Sequence, residues 1–229
     1  MNVSHDYKFI WWASPRCASR ETAGVMGLFN FWIYYPDAPC HVGNRFGELE
    51  DNPIKYEGNP FTHFASIPPE INPDEYKLII NIRNPYSWVV SCWHAEFNDL
   101  RSNPDAESCS FEQFVKSRTE HFWNNVEDTT NEQIINLNKQ PDYLVRFENL
   151  VESVLAIPFI KEKENHPKIQ RWIQTAEGRK EKNGWREGYR EEVKNINWKV
   201  WYNQELADIV YNTKENYFKT FGYDKDSWK

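Results

Sequence analysis

Residues Lys8 to Gly27 read KFIWWASPRCASRETAGVMG, and the reading of the fold turns on them. Phe9 to Ala13 is an apolar run of strand length, Ser14 to Ser19 is a turn of small and polar residues, and a helix is expected to open at Arg20 or Glu21. A strand passing through a tight loop into a helix leaves several N–H groups without intrahelical partners and aims them, with the positive end of the helix dipole, at one point. Such a point binds anions. Ala18 and Ser19 are small enough for a phosphate or sulfate to reach the backbone, while Ser19 and Thr22 offer hydroxyl donors. Arg16 and Arg20 bring charge and forked hydrogen bonding. Strand, polar turn and helix are also the ordinary grammar of any α/β protein, and the G-x-x-x-x-G-K-[ST] nucleotide loop is absent. Cys17 offers a second reading as a nucleophile beside Arg16, but no neighbouring base is evident for it.

A second stretch strengthens the first. Tyr76 to Ile82, YKLIINI, is a β-rich apolar run, as expected of an inner strand in a parallel sheet covered on both faces. Arg83-Asn84-Pro85 follows, and Pro85 suits the first turn of a helix continuing through SWVVSCWHAEF. Arg83 thus falls at the carboxyl end of a central strand, where open α/β sheets bind ligands. Ser91 lies nearly two turns along the helix, and the two side chains converge on one anion only if that helix runs alongside it.

The 229 residues, 40% of them hydrophobic, are enough for one substantial core and are read as a single domain, 1–229. With fourteen Phe, twelve Tyr and eleven Trp the chain is not a disordered one. A net charge of −7 argues against nucleic-acid binding through a broad basic face, although a local basic pocket is compatible with it. No signal peptide and no membrane-spanning run are read, so a soluble, cytoplasmic protein is expected. Cys17, Cys40, Cys92 and Cys109 form no C-x-x-C pair, so no metal site is indicated and all four are read as reduced thiols.

Between these landmarks the chain is more loosely patterned. The first helix is expected to end before Pro36, and Tyr35 to Pro60 is read as mostly loop, with His41, Asn44 and Arg45 as polar side chains available to a substrate. Pro60 to Ser66 reads as a short strand containing His63, which on local pattern is either a hydrogen-bonded core residue or an active-site group. Ser110 to Gln113 is a capping box opening a helix, and Val126 to Lys139 continues in helical style. Tyr143 to Phe147 is read as a buried strand, with a helix beginning at Glu148. Lys161 to Lys199 is a charged, low-apolar insert read as a solvated charge run. Asn203 to Phe221 is an amphipathic helix with Leu206, Ile209, Val210, Tyr217 and Phe218 on its apolar side.

The pair SPRCASRET and IRNPYSWVVS resembles the two nucleotide-binding signatures of sulfotransferases that use 3′-phosphoadenosine 5′-phosphosulfate. YLVRFENL and YFKTFGYDKDSW are similar to later stretches of that family, in the same order. The resemblance implies a P-loop-NTPase-like α/β fold with a short, mainly parallel sheet and helices on both faces. It implies that Arg16, Cys17, Ala18, Ser19 and Arg20 hold the 5′-phosphosulfate and that Arg83 and Ser91 hold the 3′-phosphate. Arg16 would neutralise the leaving phosphate, and His63 would serve as base toward the acceptor hydroxyl, with Glu21, Glu48 and His94 in reserve. No metal is implied. Ala18 stands where the family commonly has Gly and Arg20 where it has Thr or Ser. Arg179, Lys180, Gly184 and Trp185 look loosely like a loop that closes over the nucleotide in cytosolic members. The acceptor is expected to be a carbohydrate or small alcohol. Two rivals are a nucleotide-dependent kinase, which would need Mg²⁺ and a Gly-Lys-Ser/Thr loop, and an inactive nucleotide-binding module.

Overall fold

The computed structural model describes residues 2–34, 39–42, 71–98, 109–118, 139–181 and 197–229. Among them, six strands form one sheet: β1 (Asn2–Ser4), β2 (Phe9–Trp12), β3 (Phe31–Tyr34), β4 (Pro39–Val42), β5 (Lys77–Ile82) and β6 (Tyr143–Arg146), in the order β4-β3-β1-β2-β5-β6. Seven α-helices accompany them among the described residues: α1 (Ser19–Met26), α2 (Pro85–Trp93), α3 (Phe111–Arg118), α4 (Leu150–Leu155), α5 (Pro158–Lys161), α6 (Pro167–Glu181) and α7 (Gln204–Phe221). The protein is α/β, but its sheet is mixed rather than mainly parallel. β5 lies between β2 and β6 and is parallel to both, whereas β1 pairs antiparallel with β2 and β3, and β3 with β4. Chain connectivity explains the division. A four-residue turn, His5 to Lys8, joins β1 to β2, and a connection that short can only fold the chain back on itself. The parallel pairs are reached only after long crossovers.

The first half departs from expectation in two places. α1 stops at Met26, and the run expected to extend it is β3, whose Phe31-Trp-Ile-Tyr is the aromatic and β-branched composition a strand favours. The three residues of β1 are too few to register as a period. Pro60 to Ser66 and Val126 to Asn138 fall outside the described residues.

The chain divides into two compact units, Met1–Ile82 with Gln133–Gly178, and Arg83–Glu132 with Arg179–Lys229. In the first, Phe9 and Trp11 of β2 point into a core shared with α1, α4, α5 and α6, where Val25, Ile79, Val145 and Ile160 are fully buried. Phe159 stacks on Phe9 at 5.1 Å and meets the edge of Phe29 at 4.9 Å. Trp172 of α6 rests on α1, its indole N–H donating to the Glu21 carbonyl at 2.7 Å, and a Cβ on Gly24 would stand 3.4 Å from its ring. The expected charge run from Lys161 onward therefore contains an ordered helix, α6, whose apolar residues Ile169, Trp172 and Ile173 join the core.

In the second unit, α2 begins as its sequence suggests, with Pro85 in the first turn and the Asn84 side chain accepting the Tyr86 N–H. It runs on into a π-helical turn, His94 to Asn98. The capping box closes in both directions: Gln113 N–H donates to Ser110 Oγ at 3.1 Å and Ser110 N–H donates to Gln113 Oε1 at 3.0 Å. Asn203 caps α7 through the Leu206 N–H, and Gly222 ends it at a φ of 67°, in the left-handed region where glycine has no Cβ to clash. Leu206, Val210 and Phe218 of α7 are buried as expected, and Lys214 joins them with its ammonium 5.8 Å from the Trp88 ring.

β6 is held to β5 by an acid at its approach. Asp142 accepts the Leu78 N–H at 2.9 Å and the Lys77 ammonium at 2.8 Å, and its own N–H donates to the Leu78 carbonyl at 2.9 Å. Burial pushes the carboxyl upward, but the Lys77 hydrogen bond, the Leu78 N–H and the Lys139 charge outweigh it and hold Asp142 below the usual carboxylate range. A depressed carboxyl stabilises the fold above its unfolded pKa, and the contribution is lost as pH falls through the folded value. Asp142→Asn should thus lower the free energy of unfolding in urea by about 1–2 kcal/mol at pH 7, and the gap to the parent protein should close below about pH 4. A gap that persists unchanged at pH 3 would show that charge is not its source.

Candidate functional site

β2 ends at Trp12 and the chain turns at once, Ser14 N–H donating to the Trp12 carbonyl at 3.1 Å and Cys17 N–H to the Ser14 carbonyl at 3.3 Å. Two non-glycine residues of this turn, Arg16 and Ala18, have φ of 59°. The left-handed conformation costs an L-residue about 1–2 kcal/mol, so the surroundings must impose it. Asn81 on the neighbouring strand β5 braces the residues between and after them. Its side chain is fully buried and donates from Nδ2 to the Cys17 carbonyl at 2.9 Å and to Thr22 Oγ1 at 2.8 Å, while Oδ1 accepts the Trp11 indole N–H at 2.6 Å.

α1 opens at Ser19, one residue before the expected start, with Ala18 as its cap residue and no side chain capping it. Thr22 N–H bonds back to the Ala18 carbonyl at 2.9 Å, and the N–H groups of Ser19 and Arg20 precede that bond, so they are not taken up by α1 itself. Arg16 and Arg20 are exposed, whereas Cys17, Ala18 and Ser19 are buried. The five residues assigned to the anion loop are thus consecutive around one turn, with two cationic side chains at its surface. Thr22 has a different job from the one expected. Its hydroxyl donates to the Ala18 carbonyl at 3.0 Å and accepts from Asn81, so it holds the loop from inside. Ser14 Oγ, in a residue 7% exposed, has no hydrogen-bond partner among the described residues. Cys17 is a free thiol, 3% exposed, a poor position for a nucleophile.

Arg83, the residue after β5, begins the second unit. Its N–H donates to the Tyr217 hydroxyl at 3.3 Å and its Nε to Ser87 Oγ at 2.9 Å; Ser87 Oγ in turn donates to the Asn84 carbonyl at 3.1 Å. Ser87, one helical turn before Ser91, is therefore the hydroxyl that fixes the guanidinium, a partner that a seven-residue spacing rule does not reveal. Ser91 lies half-buried on α2. Asn84 donates to Ser227 Oγ at 2.8 Å, tying the loop to the C-terminal segment.

Among the expected bases, His63 and Glu48 lie outside the described residues, as do Asn44 and Arg45; His41 is in β4, opposite Trp32. Glu21 is half-buried beside Trp172. His94 is 1% exposed among aromatic rings, 4.6 Å from Trp93 and 6.3 Å from Trp201, and burial, then the Arg83 charge, lowers its pKa to about 4. It is neutral at pH 7 and a weak base. Gly184 and Trp185 also lie outside the described residues, and Arg179 and Lys180 fall in the last turn of α6. No group of three or more His, Cys, Asp or Glu that could hold a metal, and no helix long and apolar enough to cross a membrane, occurs among the described residues.

No protein-family model, curated protein or solved structure matches this chain.

Two measurements probe these environments. Ala18→Val puts a β-branched side chain at a φ of 59° and should cost about 2 kcal/mol or more in urea unfolding; a cost below about 0.5 kcal/mol would mean that the turn readily leaves the left-handed region. For His94 the folded pKa lies below the unfolded one, so its contribution is present above about pH 6.5 and fades as pH falls toward 4, amounting at most to about 3 kcal/mol. An NMR titration should show the His94 ring unprotonated down to pH 5, and His94→Gln should flatten the acid limb of the stability profile.

Proposed function

We propose that the protein is a sulfotransferase with a P-loop-NTPase-like fold, one that moves a sulfuryl group from 3′-phosphoadenosine 5′-phosphosulfate to the hydroxyl of a carbohydrate or small alcohol. The observation that carries the reading is the turn after β2: two arginines at the surface, two left-handed residues and a helix start whose leading N–H groups are not consumed by the helix, the chemistry an anionic group calls for. In support, β2 and β5, the strands that precede the two nucleotide signatures, are adjacent and parallel. Arg83 and Ser91 keep the separation of the second signature, on a loop and helix that Asn84 and Ser87 brace.

In this reading the acceptor oxygen attacks sulfur in line, the bond from sulfur to the bridging 5′-phosphate oxygen breaks, and the acceptor proton passes to His63. The products are a sulfate ester and 3′,5′-adenosine bisphosphate. Arg16 and the N–H groups of the turn stabilise the charge that grows on the leaving phosphate, and Arg83 with Ser91 holds the 3′-phosphate. The amides cost no reorganisation during reaction because the turn is already fixed in the left-handed conformation.

Transfer of labelled sulfate from the donor to a panel of carbohydrate acceptors, in the presence of a chelator, tests the activity. Arg16→Ala should lower kcat/KM by the equivalent of about 3–4 kcal/mol, as loss of one transition-state donor does, and His63→Ala should lower kcat by about 10²–10⁴. Arg83→Ala should weaken the bisphosphate at least about tenfold, the loss of one charge-assisted contact. Turnover with ATP and Mg²⁺ but none with the sulfate donor would replace this reading with a kinase, and unchanged bisphosphate affinity in Arg83→Ala would remove the 3′-phosphate assignment.

A further inference from the structure

The three bonds of Asn81 fix its amide without ambiguity. The Trp11 indole can only donate, so it must face Oδ1; the Cys17 carbonyl can only accept, so it must face Nδ2. Both hydrogens of Nδ2 are then used, on the Cys17 carbonyl and on Thr22 Oγ1, and the Thr22 hydroxyl passes its own hydrogen to the Ala18 carbonyl. Asn81 therefore holds the Cys17 carbonyl directly, while the carbonyl of the next peptide, Ala18–Ser19, is held by the Thr22 N–H at 2.9 Å and by the Thr22 hydroxyl that Asn81 engages. In a trans peptide the N–H points opposite to the carbonyl, and the chain has no cis bond among its described residues. Holding both carbonyls in this way turns the N–H groups of Ala18 and Ser19 to the opposite side.

We propose that Asn81 is the positioning residue of the anion loop, and that it acts by setting which way these two amides face. The inference rests on the loop's being an anion site and adds the residue that prepares it. Asn81 touches no ligand. Its effect is exerted through the backbone it braces: with the Cys17 carbonyl released, the loop would present carbonyl oxygens as readily as N–H groups to an incoming sulfate or phosphate. A buried asparagine among the apolar residues Leu78 to Ile82 has no solubility or turn role to explain it, and its partners span 59 to 70 positions of sequence.

The test uses the full chain and two readouts. One is the affinity of 3′,5′-adenosine bisphosphate by calorimetry. The other is the rate at which iodoacetamide alkylates Cys17, followed by peptide mass spectrometry, since that thiol is 3% exposed and its own carbonyl is in the clamp. Asn81→Asp keeps the acceptor for Trp11 but removes both donors. Thr22→Val removes only the Thr22 arm and serves if Asn81→Asp does not fold. Ile169→Ala loosens the same core without touching these bonds and controls for lost stability. Asn81→Asp should weaken the bisphosphate and speed Cys17 alkylation, each by about tenfold, Thr22→Val should do so by about threefold, and Ile169→Ala should leave both within about twofold.

Parent-like alkylation and affinity in both clamp variants would overturn the proposal, and so would an equal response from Ile169→Ala. If the parent protein fails to bind the bisphosphate, the sulfotransferase reading fails. The alkylation rates then still decide whether Asn81 holds the loop.

Discussion

A single buried amide, on a strand whose other buried side chains are apolar, braces the turn at the carboxyl end of the sheet. Asn81 reaches across from β5 to the strand beside it and to the turn and helix that follow, and both its hydrogens and its oxygen are engaged. In a low-dielectric interior such a network is strong when complete and costly when any member is lost. The parallel pairing of β2 with β5 is what allows it: with Trp11 opposite Ile79, Asn81 stands two residues further along the adjoining strand, level with the start of the turn. An antiparallel neighbour would have carried that side chain toward the opposite end of β2. The mixed sheet thus has a division of labour, with the hairpin half, β4-β3-β1, extending the platform and the parallel half carrying the loop.

The second unit solves a similar problem with hydroxyls and aromatic rings. Tyr86 donates to the Lys225 carbonyl, and its own carbonyl accepts from Tyr202, so the first turn of α2 is pinned between the start and the sequel of α7. Burial drives both phenols well above their ordinary pKa, so they are donors at neutral pH. Arg83 emerges from this scaffold with its N–H on Tyr217 and its guanidinium on Ser87, a cation whose direction is set by its own unit.

Much of this is legible in the sequence because it is local. The strand at Tyr76 to Ile82, proline in the first turn of α2, the reciprocal Ser110–Gln113 box and the apolar stripe of α7 each depend on spacings of a few residues. What the pattern hides is long-range or short-lived. β1 has three residues and β3 follows a helix too closely for a change of period to declare itself. α6 lies in a stretch whose charge suggests solvent, yet three apolar positions suffice to seat it. Thr22 reads as a ligand donor because the partner that fixes its hydroxyl inward, Asn81, is 59 positions away, although its own hydrogen goes only four residues back, to the Ala18 carbonyl. His94 shows the same limit, since its ring is kept neutral among tryptophans brought to it from both ends of its unit.

The π-helical turn from His94 to Asn98 closes wider rings than the α-helix it extends, which amounts to one more residue than the same rise would otherwise hold. Removing a single residue there would let α2 run on as a regular helix and would swing all that follows by roughly a third of a revolution. The five residues that continue α2 therefore carry one surplus position. An insertion or deletion of one residue, tolerated in most surface connections, would here carry Phe97 away from the edge of Phe114 that it now meets at 6.0 Å.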